Sequence, residues 1–250
     1  MWPYPKIVAH RGGGTLAPEN TIAGLRAGLA YGFRAVEFDV MLSQDGIGVV
    51  MHDPDFGRTI YGDGHVSNHT AAELARMDAG RWMAPEFRGE PVPLFLEWVD
   101  YCKEHRIWMN IEIKPVEGQE EETGRWVAHT ARARFAAEVA AGAQAQLPLL
   151  SSFSMAALAA ARDAAPDLPR ACLFDKVPTD WERIAREIGA VAIHTNHKHL
   201  TPALAAAIKQ AGFGLFCYTV NTPERAREIL PWGVDGFCTD RIDLIGPDFA

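Results

Sequence analysis

Short β-rich runs alternate with helical patterns almost to the end of this chain, and that alternation limits its fold more than any other feature. The spacing predicts strands over 6–10, 35–40, 108–114, 147–153, 171–174, 190–194, 214–220 and 236–239. Helical periodicity fills most of the gaps, over 21–31, 123–141, 155–164, 181–188, 202–211 and 223–230. Strand-then-helix order makes neighbouring strands parallel, because a parallel pair needs a crossover long enough to hold a helix. About eight such units point to closure into an α/β fold of the (β/α)8 TIM-barrel type, one domain spanning residues 1–250. A doubly wound open sheet is the competitor, but no GxGxxG turn follows the first strand.

One stretch breaks the alternation. Asp45-Gly46 separates two β-rich runs, a strong hairpin signal, and the second run covers 47–52. Read as a two-residue turn, it sets Gln44 against Ile47 and Asp39 against His52, with Cβ atoms about 4.5–5.5 Å apart. Residues from about 53 to 93 fit no strand–helix unit and are rich in Gly, Pro, Asp and His. They read as a small subdomain inserted in a βα loop after the hairpin, where active-site decoration grows.

Charge and composition exclude several partners. The formal net charge is -8 and no block of like charges stands out, so neither nucleic acid nor an anionic membrane surface has a basic face to meet. The N-terminus lacks a signal-peptide pattern, and no apolar stretch reaches the ~20 residues that span a bilayer. A cytoplasmic protein without membrane insertion is the expectation. Cys102, Cys172, Cys217 and Cys238 lie far apart in apolar segments, as buried reduced thiols do, and form no CxxC motif.

Polar residues inside predicted strands carry the chemistry. Glu37 and Asp39 are two apart, so they share one side of the sheet, while Val36, Phe38 and Val40 face the covering helices. Glu112 and Lys114 repeat the pattern. So many buried charges cost several kcal/mol per ion unless they pair with one another or hold a metal. An internal salt-bridge network is one reading. An all-oxygen metal site is the other, and it suits Mg²⁺ or Ca²⁺ better than zinc. His10 closes the first strand and is followed by Arg11 and Gly12-Gly13-Gly14, glycines expected to let a ligand approach the backbone. Asn20 or Thr21 is the expected N-cap of the next helix. These strand ends meet on the C-terminal rim, where barrel enzymes keep their sites. Three carboxylates contribute about -3, and a divalent ion with Arg11 and Lys114 about +4, leaving a net charge that suits a phosphodiester monoanion.

At these residues the chain resembles the glycerophosphodiester phosphodiesterase family. The match runs through His10-Arg11-Gly12, Pro18-Glu19-Asn20-Thr21, Glu37-Phe38-Asp39-Val40, Asp45-Gly46 and His52-Asp53. It continues through Asn110-Ile111-Glu112-Ile113-Lys114-Pro115, Ser151-Ser152-Phe153, Tyr218-Thr219-Val220-Asn221 and Asp235-Gly236-Phe237-Cys238-Thr239-Asp240. Trp2-Pro3-Tyr4-Pro5 and His194-Thr195-Asn196-His197-Lys198 look closest to the cytoplasmic enterobacterial-type branch linked to glycerol-phosphate uptake. The resemblance implies His10 and His52 as acid/base residues, and Glu37, Asp39 and Glu112 as ligands of one divalent cation, Mg²⁺, Ca²⁺ or Mn²⁺. It implies Arg11 and Lys114 on the phosphate, and Phe153 and Tyr218 near the substrate, with Tyr218 standing where Trp is frequent. The expected reaction cuts small glycerophosphodiesters to sn-glycerol 3-phosphate and an alcohol, through attack by the substrate's own 2-hydroxyl and a cyclic phosphate. Direct attack by water, a phospholipase acting on intact lipids and a non-catalytic glycerophosphodiester-binding protein are the alternatives.

Overall fold

In the computed structural model, which describes residues 2–249, the alternation resolves into nine strands and nine α-helices among those residues. The strands are β1 Ile7–His10, β2 Ala35–Leu42, β3 Gly48–Val50, β4 Trp108–Ile113, β5 Leu149–Ser152, β6 Arg170–Phe174, β7 Ala192–Asn196, β8 Gly214–Tyr218 and β9 Gly236–Thr239. The helices are α1 Ile22–Ala30, α2 Ala71–Leu74, α3 Phe95–Glu104, α4 Glu120–Arg134, α5 Ala136–Ala140, α6 Met155–Ala164, α7 Trp181–Ile188, α8 Pro202–Gln210 and α9 Pro223–Ile229. Strand β1 pairs in parallel with both β2 and β9, which closes the eight parallel strands into a barrel. Only β3 runs antiparallel, as an outrigger on β2. The (β/α)8 expectation holds, with modest shifts such as the strand read over 190–194, which occupies Ala192–Asn196.

Side-chain parity explains the layers. Val36, Phe38 and Val40 face outward and pack with Phe95, Trp98 and Val99 of α3 in the largest core cluster. Phe38 and Trp98 meet at 4.9 Å between ring centroids, and Trp98 is fully buried. Truncating Trp98 to alanine should cost about 3–5 kcal/mol. Helix α3 adds to the helices expected from sequence, and the helix read over 123–141 breaks at Phe135 into α4 and α5. The inward residues Val8, Ala35, Trp108, Leu149, Ala171, Ala192 and Phe216 fill the barrel, with Trp2 and Tyr4 packed against them at its N-terminal end.

The hairpin register differs from expectation by one residue. Ser43 pairs with Ile47, the Gly46 amide donates to the Ser43 carbonyl at 3.0 Å, and Gly46 has φ +72. This is a three-residue loop, a tight turn followed by a left-handed glycine, rather than a two-residue turn. The ladder therefore places Val40 against Val50, and Asp39 against Met51 instead of His52. The Asp45 carboxylate fixes the longer loop by accepting from the Ser43 hydroxyl and from the Ala71 amide at the start of α2. Residues 53–93 contain α2 and two short 3₁₀ turns, and they have an apolar cluster of their own. In it Ile60, Val66, Leu74 and Val92 pack on Met41, Val49 and Met51 of the hairpin.

Candidate active site

Strand parity brings three carboxylates together. Glu37 and Asp39 on β2 and Glu112 on β4 are all buried, Asp39 lies opposite Glu112 in the ladder, and one oxygen from each lies within 4.8 Å of the others. Burial and then the charges of Asp39 and Glu112 push Glu37 well above the ordinary carboxylate range. Burial and Asp39 likewise push Glu112 up to about 7. Burial opposes ionisation of Asp39 too, but Arg11, Lys114, His52 and the Asn20 amide outweigh it and hold Asp39 low. Glu37 Oε2 is buried without a hydrogen-bond partner among the described residues. A cluster of oxygens that repel one another and leave an acceptor unfilled fits a hard divalent cation. The triad can therefore hold a metal ion.

Two histidines flank the triad. His10 ends β1, presents Nδ1 to Asp240 Oδ1 at 2.6 Å and places Nε2 3.5 Å from Glu37 Oε2. Asp240 follows β9 and accepts from the Asn221 amide at 2.8 Å, and its bond to His10 helps hold its carboxyl low despite burial. His52 lies just beyond β3, presents Nδ1 to Asp53 Oδ1 at 2.6 Å and sets Nε2 2.7 Å from Lys114 Nζ. An ammonium has only donors, so His52 Nε2 is the acceptor and Nδ1 carries the proton given to Asp53. Burial, with the nearby cations, lowers the His52 pKa against the pull of Asp39.

The fixed cations reach across the same space. Lys114 Nζ lies 3.6 Å from both Asp39 and Glu112. Arg11, in the left-handed region at φ 51, donates to Glu19 at 2.9 Å and approaches Asp39 at 3.4 Å. The structure thus gathers His10, His52, Arg11, Lys114, Glu37 and Glu112 around one 190 Å³ cavity, which Phe153 and Tyr218 also line. Those two rings meet edge to face at 5.9 Å, and Phe153 is exposed.

Other expectations change. Gly12, Gly13 and Gly14 do not offer backbone to a ligand, because the loop is packed against protein. A Cβ on Gly14 would strike the Asp240 carbonyl, and one on Gly12 would crowd Gly24 of α1. The Thr15 amide and hydroxyl both donate to that carbonyl, so the loop anchors the segment that holds His10. Thr21 is the N-cap, accepting from the Gly24 amide, whereas Asn20 takes φ 56 and donates to Asp39 Oδ2 at 2.9 Å. Sequence reading missed the roles of Asp53, Asp240, Glu19 and Arg58. Arg58, from the insertion, donates to Asp53 at 2.5 Å and to both oxygens of Glu19 at 2.6 and 2.8 Å. The Arg58–Glu19 and His10–Asp240 contacts join residues 39 and 230 positions apart, and no local pattern signals them.

This rim is that of a phosphoric diester hydrolase built on a parallel barrel, and comparison with known proteins makes the class specific. Residues 10–244 match the Glycerophosphoryl diester phosphodiesterase family, and the chain belongs to it and is an enzyme of that activity. It is 30% identical over 238 residues to the glycerophosphodiester phosphodiesterase of Caldanaerobacter subterraneus subsp. tengcongensis, covering 94% of this chain and 93% of that one. An Oleispira antarctica phosphodiesterase solved with the product sn-glycerol-3-phosphate superposes with a TM-score of 0.83 at 33% identity, covering 94% and 93% of the two chains. The glycerophosphodiester phosphodiesterase structure from Agrobacterium tumefaciens gives 0.76 at 27% identity, with 96% and 97% covered.

Proposed function

We propose that the enzyme cuts small glycerophosphodiesters into sn-glycerol 3-phosphate and an alcohol, with His10 and His52 as its proton-transfer pair. The observation that carries this reading is the symmetry of the two imidazoles, each held at Nδ1 by an aspartate on either side of the carboxylate triad. The product bound by the Oleispira antarctica relative supports the same substrate class. Glu37, Asp39 and Glu112 would hold one divalent cation, Mg²⁺, Ca²⁺ or Mn²⁺. When bound, such an ion supplies Lewis-acid stabilisation of charge on phosphoryl oxygens.

The remaining steps belong to the protein's own groups. Arg11 and Lys114 bind the phosphate and neutralise charge that develops on its oxygens. His52 Nε2, which accepts from Lys114 Nζ in the unliganded site, is released when Lys114 turns to the phosphate, and takes the proton of the glycerol 2-hydroxyl as that oxygen attacks phosphorus. His10, poised between Asp240 and Glu37, gives a proton to the departing alcohol. Water then opens the cyclic phosphate with the two roles reversed. Imidazoles suit both directions because their ordinary pKa of about 6.5 lets them exchange protons near neutrality. Phe153 and Tyr218 form the wall beside the substrate. A glycerophosphodiester methylated at the 2-hydroxyl tests the order of events. The cyclic route predicts that it is bound and left intact, and rapid hydrolysis would show direct attack by water instead.

A further inference from the structure

His194 is the one histidine in the barrel interior that the reaction leaves unused. It shares the inward face of β7 with Ala192 and pairs in the ladder with Leu173 and Phe216. It is fully buried, and neither ring nitrogen has a hydrogen-bond partner among the described residues. Burial lowers its pKa to about 3, so the ring is neutral and offers one donor and one acceptor. Asn110, inward on β4 beside Glu37, is also buried and has its Oδ1 unpartnered. The Phe216 ring centroid is 4.7 Å from that of His194, and the Trp2 ring lies 5.9 Å from Phe216 and 6.5 Å from His194, so the three rings pack together.

These unpartnered groups line the same 190 Å³ cavity, which runs from His10, His52 and Lys114 at the rim to Asn110, His194 and Phe216 at the floor. A closed floor suits the part of the substrate that never varies, and the mouth beside exposed Phe153 suits the variable alcohol. In a glycerophosphodiester the constant part is glycerol, whose hydroxyls each donate and accept, as a neutral imidazole does. We propose that His194 and Asn110 form a polyol-binding floor that hydrogen-bonds a glycerol hydroxyl, making His194 a specificity determinant. The proposal rests on the substrate class given above and adds the residues that select it.

Calorimetric binding of sn-glycerol 3-phosphate and of ethyl phosphate, with Mg²⁺ present, tests it. Wild-type protein should prefer the glycerol ester, and His194→Leu should lose about tenfold in affinity for it, the equivalent of one or two hydrogen bonds. Ethyl phosphate should lose much less, so the preference collapses. The leucine variant should melt no lower than wild type, since an apolar side chain replaces an unpartnered polar one. His194→Gln, which keeps a donor and an acceptor, should retain part of the preference. Asn110→Leu gives an independent variant of the floor with the same expected direction. Unchanged preference in His194→Leu, or an equal loss for both ligands, would overturn the proposal, as would a wild-type protein without preference. Turnover plays no part in this ratio, so a failure of hydrolysis would fall on the proposed reaction and not on the floor.

Discussion

His10 and His52 each set Nδ1 2.6 Å from an aspartate, yet the two pairs are assembled from different parts of the molecule. The His10 side is made by barrel closure. Strands β1 and β9 lie side by side, so His10 and Asp240 meet across 230 positions of sequence, and Asn221 after β8 braces the aspartate. The His52 side is made by loops. His52 and Asp53 are neighbours in sequence beyond a short antiparallel strand, and Arg58 ties Asp53 to Glu19, which also holds Arg11. Similar imidazole environments can thus be supported by a rigid sheet or by one arginine in an insertion, and the second support is the easier to remove.

The comparison yields predictions of graded size. His10→Ala and His52→Ala should each lose about 10²–10⁴-fold in kcat, the usual worth of a positioned acid or base. Near-normal turnover in either would break the pairing. Asp240→Asn and Asp53→Asn should each lose up to about 10⁴-fold, because an amide in place of the carboxylate can donate to Nδ1 and favour the wrong imidazole tautomer. Arg58→Ala should cost about tenfold and reveal the asymmetry in double variants. Added to Asp53→Asn its effect should be largely lost, whereas added to Asp240→Asn it should be nearly full, as expected for coupled and independent sites. Equal additivity in both backgrounds would show that Arg58 does not act through Asp53.

The smallest effect concerns pH. Burial lowers the His52 pKa, with Arg11 and Lys114 adding to the shift and Asp39 opposing it. A base with a lowered pKa stays deprotonated to lower pH, so the acid limb of kcat/KM should fall below the ordinary imidazole range. Lys114→Met removes one of those cations, so the His52 pKa should rise and the acid limb should move to higher pH. A limb that stays in place would assign it to another group.

Much of this was legible in the sequence, for local reasons. Alternation of strands and helices is a short-range pattern, and i, i+2 parity alone puts Glu37 beside Asp39 and turns Phe38 towards the helices. The hairpin was legible and its register was not, because Asp45-Gly46 serves a two-residue or a three-residue loop, and the Ala71 amide that holds Asp45 lies far along the chain. His52 reached the site regardless, from the loop beyond β3. Asp240, Glu19 and Arg58 act only after the barrel has closed and the insertion has folded over the rim. The packing role of the glycines after Arg11 is not legible for a similar reason, since the surfaces they fit, Gly24 and the Asp240 backbone, come from other elements.

The central claim is that this site releases sn-glycerol 3-phosphate with the help of a cation held by Glu37, Asp39 and Glu112. Hydrolysis of glycerophosphocholine and glycerophosphoethanolamine, followed by assay of sn-glycerol 3-phosphate, tests it most directly. Product should form, disappear with chelator and return when Mg²⁺, Ca²⁺ or Mn²⁺ is restored. Absence of sn-glycerol 3-phosphate under every metal condition would contradict it.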